Sequence, residues 1–185
     1  MLKIVFVALA DGFEEVEAMA PIDVLRRAGF DLVTVGITGQ TVKSSRNVVV
    51  IPDKQWNDVA EMTPDLLVLP GGMPGSKHLG EHAGLKKMAE RIAQADGYLA
   101  AICAAPAFTL ATWGLLSGHR ATCYPGYESQ FPKDVTGVTD KVVVDRHIIT
   151  SMGAGCAFDF SFALVEQFSG KTAVQKLKEQ MMFPM

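Results

Sequence analysis

The stretch Leu99–Pro106, LAAICAAP, ends a strand-like apolar run at a cysteine and then opens through small residues onto a proline. Tyr98–Ile102 reads as a buried strand. Ala105–Trp113 follows as a helix. Cys103 stands at the handover. It is either one more small core residue or the residue that the turn exists to present.

The same alternation runs outward in both directions. Leu2–Leu9 reads as a first buried strand, and Glu14–Ala28 as a helix stopped by Gly29. Phe30–Val35 is a second strand, and Val48–Pro52 a third, reached through a small hairpin around Gly39–Ser45. Asp65–Leu69 is a strand ending in Pro70-Gly71-Gly72, and Leu85–Ala95 is a helix. Val142–Val144 and Ile148–Ser151 form a hairpin turning at Asp145-Arg146-His147. Phe158–Phe168 and Thr172–Gln180 close the chain as helices. Strands separated by helices imply right-handed crossovers and a mostly parallel sheet with helices on both faces. The chain is expected to form one domain over residues 1–185. In such an architecture ligands sit beyond the carboxyl ends of the strands. That directs attention to Ala10–Glu17, Pro70–Gly75, Ile102–Ala105 and Ser151–Gly155.

Those loops hold the unusual residues. Glu14 and Glu15 suit a helix start, because carboxylates favour the positive end of the macrodipole. Glu17 is different, since Val16 and Ala20 bracket it on the side expected to be buried. Burial there raises a carboxyl toward its protonated form. Gly71-Gly72 is either a tight turn or a small nest of inward amides. Around Cys103 the small neighbours permit a sharp strand-to-helix turn, the geometry of a nucleophile elbow. Helix amides facing the sulfur lower a thiol from about 8.5, and a fall to about 6 makes it mostly thiolate at neutral pH. Cys123 and Cys156 lack that setting and read as structural. His78, His82, His119 and His147 read as surface residues, so the thiol has no evident histidine base.

Composition narrows the function classes. The 185 residues are 49% apolar and 20% charged, with a net charge of −3 and no basic run. Nucleic acid and anionic membranes are therefore not expected as partners. The apolar start is too short to span a bilayer and lacks a cleavage signature. Three cysteines spaced by 20 and 33 residues make neither a disulfide framework nor a zinc site, which points to a reducing cytoplasm. No nucleotide or dinucleotide fingerprint is present.

The segments "DGFEEVEAMAPIDVLRRAG", "SRNVVVIPD", "LLVLPGGMPG", "AAICAAP", "ATCYPGYE" and "IITSMGAGCAFDF" together resemble the ThiJ/PfpI family, in the branch of the parkinsonism-associated protein deglycase. The resemblance spans essentially the whole chain. It implies a flavodoxin-like three-layer α/β/α sandwich, a homodimer, and no cofactor or metal. By position it makes Cys103 the reactive cysteine and Glu17 its protonated partner acid. The amides of Gly72 and Ala104 become the oxyanion pocket. Arg46 matches an arginine near the cysteine, and Arg27 one that approaches from the neighbouring subunit. Tyr124 stands where some members carry histidine, and it can donate a hydrogen bond but is a poor base. The implied activity is cofactor-independent chemistry on reactive dicarbonyls or glycated adducts (glyoxalase III or deglycase type). The alternative is an oxidative-stress sensor or chaperone whose Cys103 is oxidised to sulfinic acid without turnover.

Overall fold

The computed structural model describes residues 3–184, so the expected strand start at Leu2 lies outside the described residues. Strand β1 covers Ile4–Leu9, helix α1 Glu15–Arg27 and strand β2 Asp31–Gly36. Short strands β3 (Val42–Lys43), β4 (Val49–Val50) and β5 (Lys54–Gln55) lead into the one-turn helix α2 (Trp56–Val59). Next come β6 (Leu66–Leu69), α3 (Gly75–Glu81), α4 (Ala83–Gln94) and β7 (Tyr98–Ile102). Strands β8 (Arg120–Ala121) and β9 (Thr136–Gly137) pair with each other outside the main sheet. Strands β10 (Val142–Asp145) and β11 (Ile148–Ser151) precede the long helix α5 (Ala157–Gln180).

Seven strands form one sheet in the order β10-β11-β7-β6-β1-β2-β5. Every neighbouring pair is parallel except the β10–β11 hairpin. Alternation along β1 shows why the strands are apolar on both sides. Val5, Val7 and Leu9 pack into a core shared with α1 and α5, while Phe6, Ala8 and Ala10 pack into a second core with α3 and α4. Each large side chain so buried contributes about 2 kcal/mol. This is the flavodoxin-like sandwich, with the ends of four central strands side by side.

Local chemistry sets the helix that matters most. Glu14 caps α1, its Oε2 accepting from the Glu17 amide at 2.8 Å, and Arg26 and Arg27 occupy the last turn. Gly29 follows at φ +83°, a left-handed stop. The pair of closing helices is one continuous element with a break at Gly170, where φ is +76°. Among the described residues no helix is long and apolar enough to cross a membrane.

Two expectations are corrected. Val48–Pro52 is not a strand of the main sheet. Only Val49–Val50 pairs, antiparallel to β3, and β5 takes the sheet edge beside β2. Val49 and Ile51 are 61% and 79% exposed, so an apolar run that suggested burial faces outward. The helix expected over Ala105–Trp113 is a wider turn of helix at Pro106–Leu110, with the Ala111 amide donating to the Pro106 carbonyl at 2.9 Å. Thr109 Oγ1 and Trp113 Nε1 tie this segment to α3 through the Ser76 and Gly80 carbonyls. The composition of α3 (Gly-Ser-Lys-His) concealed it in the sequence.

Candidate active site

The site begins at the end of β7. Cys103 has φ +64°, a left-handed conformation that non-glycine residues rarely adopt. Its amide donates to the Ser151 carbonyl at 2.9 Å, and its carbonyl accepts from the Tyr124 amide at 2.8 Å. These bonds to β11 and to the Thr122–Tyr127 loop hold the strained elbow in place. The turn thus lifts Sγ out of the sheet toward the loop after β6.

That loop supplies a surface with no side chain in the way. A Cβ on Gly71 would lie 2.3 Å from Glu17 Oε2 and 2.6 Å from Cys103 Cβ. Gly71 is therefore what lets the carboxyl reach the thiol. Gly72 adopts φ +86° and turns its amide to the sulfur, as does Ala104 at the start of the following helical segment. The first strand and α1 bring in Glu17, which is 1% exposed. Its Oε2 accepts from the Gly71 amide at 3.0 Å, the Ala154 amide also donates to it, and its carboxyl is hydrogen-bonded to the Cys103 thiol.

Burial is the main cause that lifts Glu17 from an ordinary 4.5 to about 7, and the charge of Glu14 adds to it. The thiol contact and the Gly71 and Ala154 amides oppose the rise. For Cys103 the expected lowering is overturned. Burial, then the facing carboxylate, push the thiol up and outweigh the Gly72 and Ala104 amides. Sulfur and carboxyl are thus coupled through a single proton. Where Glu17 holds its proton it can donate to the sulfur in place of repelling it. The pair can present a nucleophile beside an acid, and return the proton to the sulfur when the sulfur is released.

Cys103, Glu17, Gly72, Ala104, Arg46 and Tyr124 all line one cleft of about 380 Å3. Arg46 is carried there by the β3–β4 turn, which the Glu15 carboxylate fixes through the Arg46 amide at 2.7 Å and the hydroxyls of Ser44 and Ser45. Arg27 does not join them within this chain. It lies at the far end of α1, its Nε paired with Asp23 at 2.9 Å. The cleft also contains Glu14, Met73, Tyr127 and Ala154, which sequence reasoning did not assign to it. Only the Gly-Gly pair offered a signal for Gly71. Glu14 was legible only as a helix start, and Tyr127 had no periodicity to mark it.

None of the four histidines lines the cleft. They are not free surface residues either, being partly buried, and the His119 side chain is 15% exposed beside Asp145 at 3.3 Å. Buried Cys123 is pushed up to about 12 by desolvation and then by Glu128. Among the described residues no group of three or more histidine, cysteine, aspartate or glutamate side chains could hold a metal ion.

A model of the DJ-1/PfpI family matches residues 3–167. Drosophila melanogaster protein dj-1beta is 40% identical over 179 residues, covering 96% of this chain and 95% of that one. Arabidopsis thaliana protein DJ-1 homolog B is 40% identical over 171 residues, and this chain spans only 39% of its length. The glutathione-independent glyoxalase DJR-1.2 of Caenorhabditis elegans is 31% identical over 165 residues, covering 89% and 87% of the two chains. Among solved structures, oxidised Toxoplasma gondii DJ-1 superposes with a TM-score of 0.95 at 36% identity, over 99% of this chain and 100% of that one.

Proposed function

The chain belongs to the DJ-1/PfpI family, and from that premise we propose that it is a cofactor-independent enzyme converting reactive 2-oxoaldehydes to 2-hydroxy acids. The observation that carries the reading is the Glu17 carboxyl bonded to the Cys103 thiol inside a cleft rimmed by amides. The name of the glyoxalase relative supports it.

In this reading the Cys103 thiolate adds to the aldehyde carbon, and the Gly72 and Ala104 amides hold the resulting oxyanion. Such donors contribute about 3 kcal/mol each in comparable sites. Glu17 first gives its proton to that oxygen, forming a hemithioacetal. As carboxylate it then removes the hydrogen of the same carbon and returns it to the neighbouring carbon. The hydroxyl proton passes to the former ketone oxygen, leaving a thioester. Water hydrolyses the thioester to a 2-hydroxy acid and frees the thiol. The oxidation of one carbon is balanced by reduction of its neighbour, so no external oxidant is needed. Purified protein incubated with methylglyoxal is expected to yield lactate, and Cys103→Ala to yield none. Absence of lactate from the wild type, or unchanged turnover in Cys103→Ala, overturns the enzyme reading.

A second reading is favoured by the same donors. A sulfinate on Cys103 would find the Gly72 and Ala104 amides and a protonated Glu17 already facing it, as an oxidative-stress sensor requires. Mild peroxide followed by mass spectrometry tests it, since prior oxidation of Cys123 or Cys156 is incompatible with that role.

The proposal includes a homodimer in the cytoplasm. Val16, Met19 and Phe158 are exposed together around one groove on the outer face of α1. Asp23 and Arg27 continue the same face at helical spacing. Two such helices packed antiparallel about a two-fold axis would set the Arg27 end of one beside the Glu14 end of the other. That arrangement brings a second arginine toward the cleft.

A further inference from the structure

Neither tyrosine of the cleft is needed by the chemistry just described, yet together they build one of its walls. Their ring centroids are 5.5 Å apart with planes inclined by 44°. Tyr127 is braced edge-on by Phe108 at 5.0 Å. The backbone fixes the pair to the nucleophile. The Tyr124 amide donates to the Cys103 carbonyl, and the Tyr127 amide to the Tyr124 carbonyl at 3.0 Å. Tyr124 nevertheless keeps 50% of its surface exposed, so an aromatic face beside the sulfur is open to a ligand. Met73 and Ala154 add apolar lining. Methylglyoxal fills only a small part of a 380 Å3 cleft and offers nothing to an aromatic wall.

We propose that Tyr124 and Tyr127 are specificity-determining residues and that they select aryl-substituted 2-oxoaldehydes, such as phenylglyoxal, over methylglyoxal. The proposal rests on the enzyme reading above and concerns the substituent, which the proton-transfer steps leave untouched. With Cys103 bonded to the aldehyde carbon, the aryl ring occupies the space beside Tyr124 and stacks on or against its face. The product is then an aryl 2-hydroxy acid (mandelate from phenylglyoxal and water). One aromatic contact of this kind is worth a factor of up to about ten in binding.

The test compares kcat/KM for phenylglyoxal and methylglyoxal in wild type, Tyr124→Ala, Tyr127→Ala and Tyr124→Phe. Wild type is expected to favour phenylglyoxal by about tenfold. Tyr124→Ala is expected to lose most of that ratio, chiefly through KM, and Tyr127→Ala part of it. Tyr124→Phe keeps it, because the ring face and not the hydroxyl is responsible. A ratio unchanged in both alanine variants overturns the proposal. Binding of mandelate and lactate to Cys103→Ser, followed by NMR, separates this failure from that of the enzyme reading. If wild type turns over neither aldehyde, the enzyme reading falls, while tighter mandelate binding that depends on Tyr124 still upholds the wall. Equal affinity for the two acids removes it.

Discussion

At the scale of single residues, Glu17 has a consequence for stability as well as chemistry. The unfolded chain loses this proton near 4.5, whereas the folded protein keeps it to about 7. Between those values the native state binds more protons than the unfolded one, so stability falls as pH rises, and above 7 the penalty is constant. The shift corresponds to a cost on the order of 3 kcal/mol. Glu17→Gln is therefore expected to match wild type in urea unfolding at pH 4 and to exceed it at pH 8. Parallel pH profiles for the two proteins would refute this. Cys103 was legible in the sequence because it ends an apolar run; Glu17 was marked by Val16 and Ala20, of which only Ala20 is buried, Val16 being exposed. The state of the sulfur was not legible, because no local pattern shows which carboxylate faces it. Tyr127 was hidden for a related reason, since its role arises only when separate segments of the chain meet at the cleft.

At the scale of elements, the β3–β4 hairpin depends on one side chain of α1. Glu15 accepts from the Ser44 and Ser45 hydroxyls and the Arg46 amide, and the first of these residues is buried. Burial raises the Glu15 carboxyl, but the Ser44 hydroxyl and the other donors outweigh it and hold it below the usual range. This stabilisation is present above the ordinary carboxylate range and is lost as pH falls through the lowered value. Glu15→Ala leaves the Ser44 hydroxyl without its acceptor, at a cost of about 1–3 kcal/mol. The expected sign is faster hydrogen exchange at the amides of residues 44–48, with β1 unchanged; unaltered protection of the turn would contradict it. The same hairpin shows where the fold was illegible. Val48–Pro52 has the composition of a buried strand, yet Val48, Val49 and Ile51 are exposed. Strands β1, β2, β6, β7 and β11 could be read because both their faces are covered, which makes the apolar run continuous.

At the scale of the whole molecule, the sheet order places the ends of β1, β6, β7 and β11 together. Glu17, Gly72, Cys103, Ala104 and Ala154 come from the segments that follow them, while Arg46 is carried by the β3–β4 turn and Tyr124 and Tyr127 by the segment after β8. The exposed apolar face of α1 is the other large-scale feature. If the proposed dimer forms through this face, Val16→Asp is expected to shift the protein from dimer to monomer in light scattering, because the charge would face its own copy across the two-fold axis. A wild type that is monomeric at all concentrations would remove the dimer from the account. The central claim concerns the proton shared by Glu17 and Cys103, and the pH dependence of Cys103 alkylation tests it by sign. While Glu17 keeps its proton, to about pH 7, it sustains the thiolate, so wild type is expected to react below the ordinary thiol range of about 8.5 and Glu17→Ala to move the onset upward. If Glu17 is already a carboxylate that repels the sulfur in that range, the same substitution moves the onset downward, and the account is wrong.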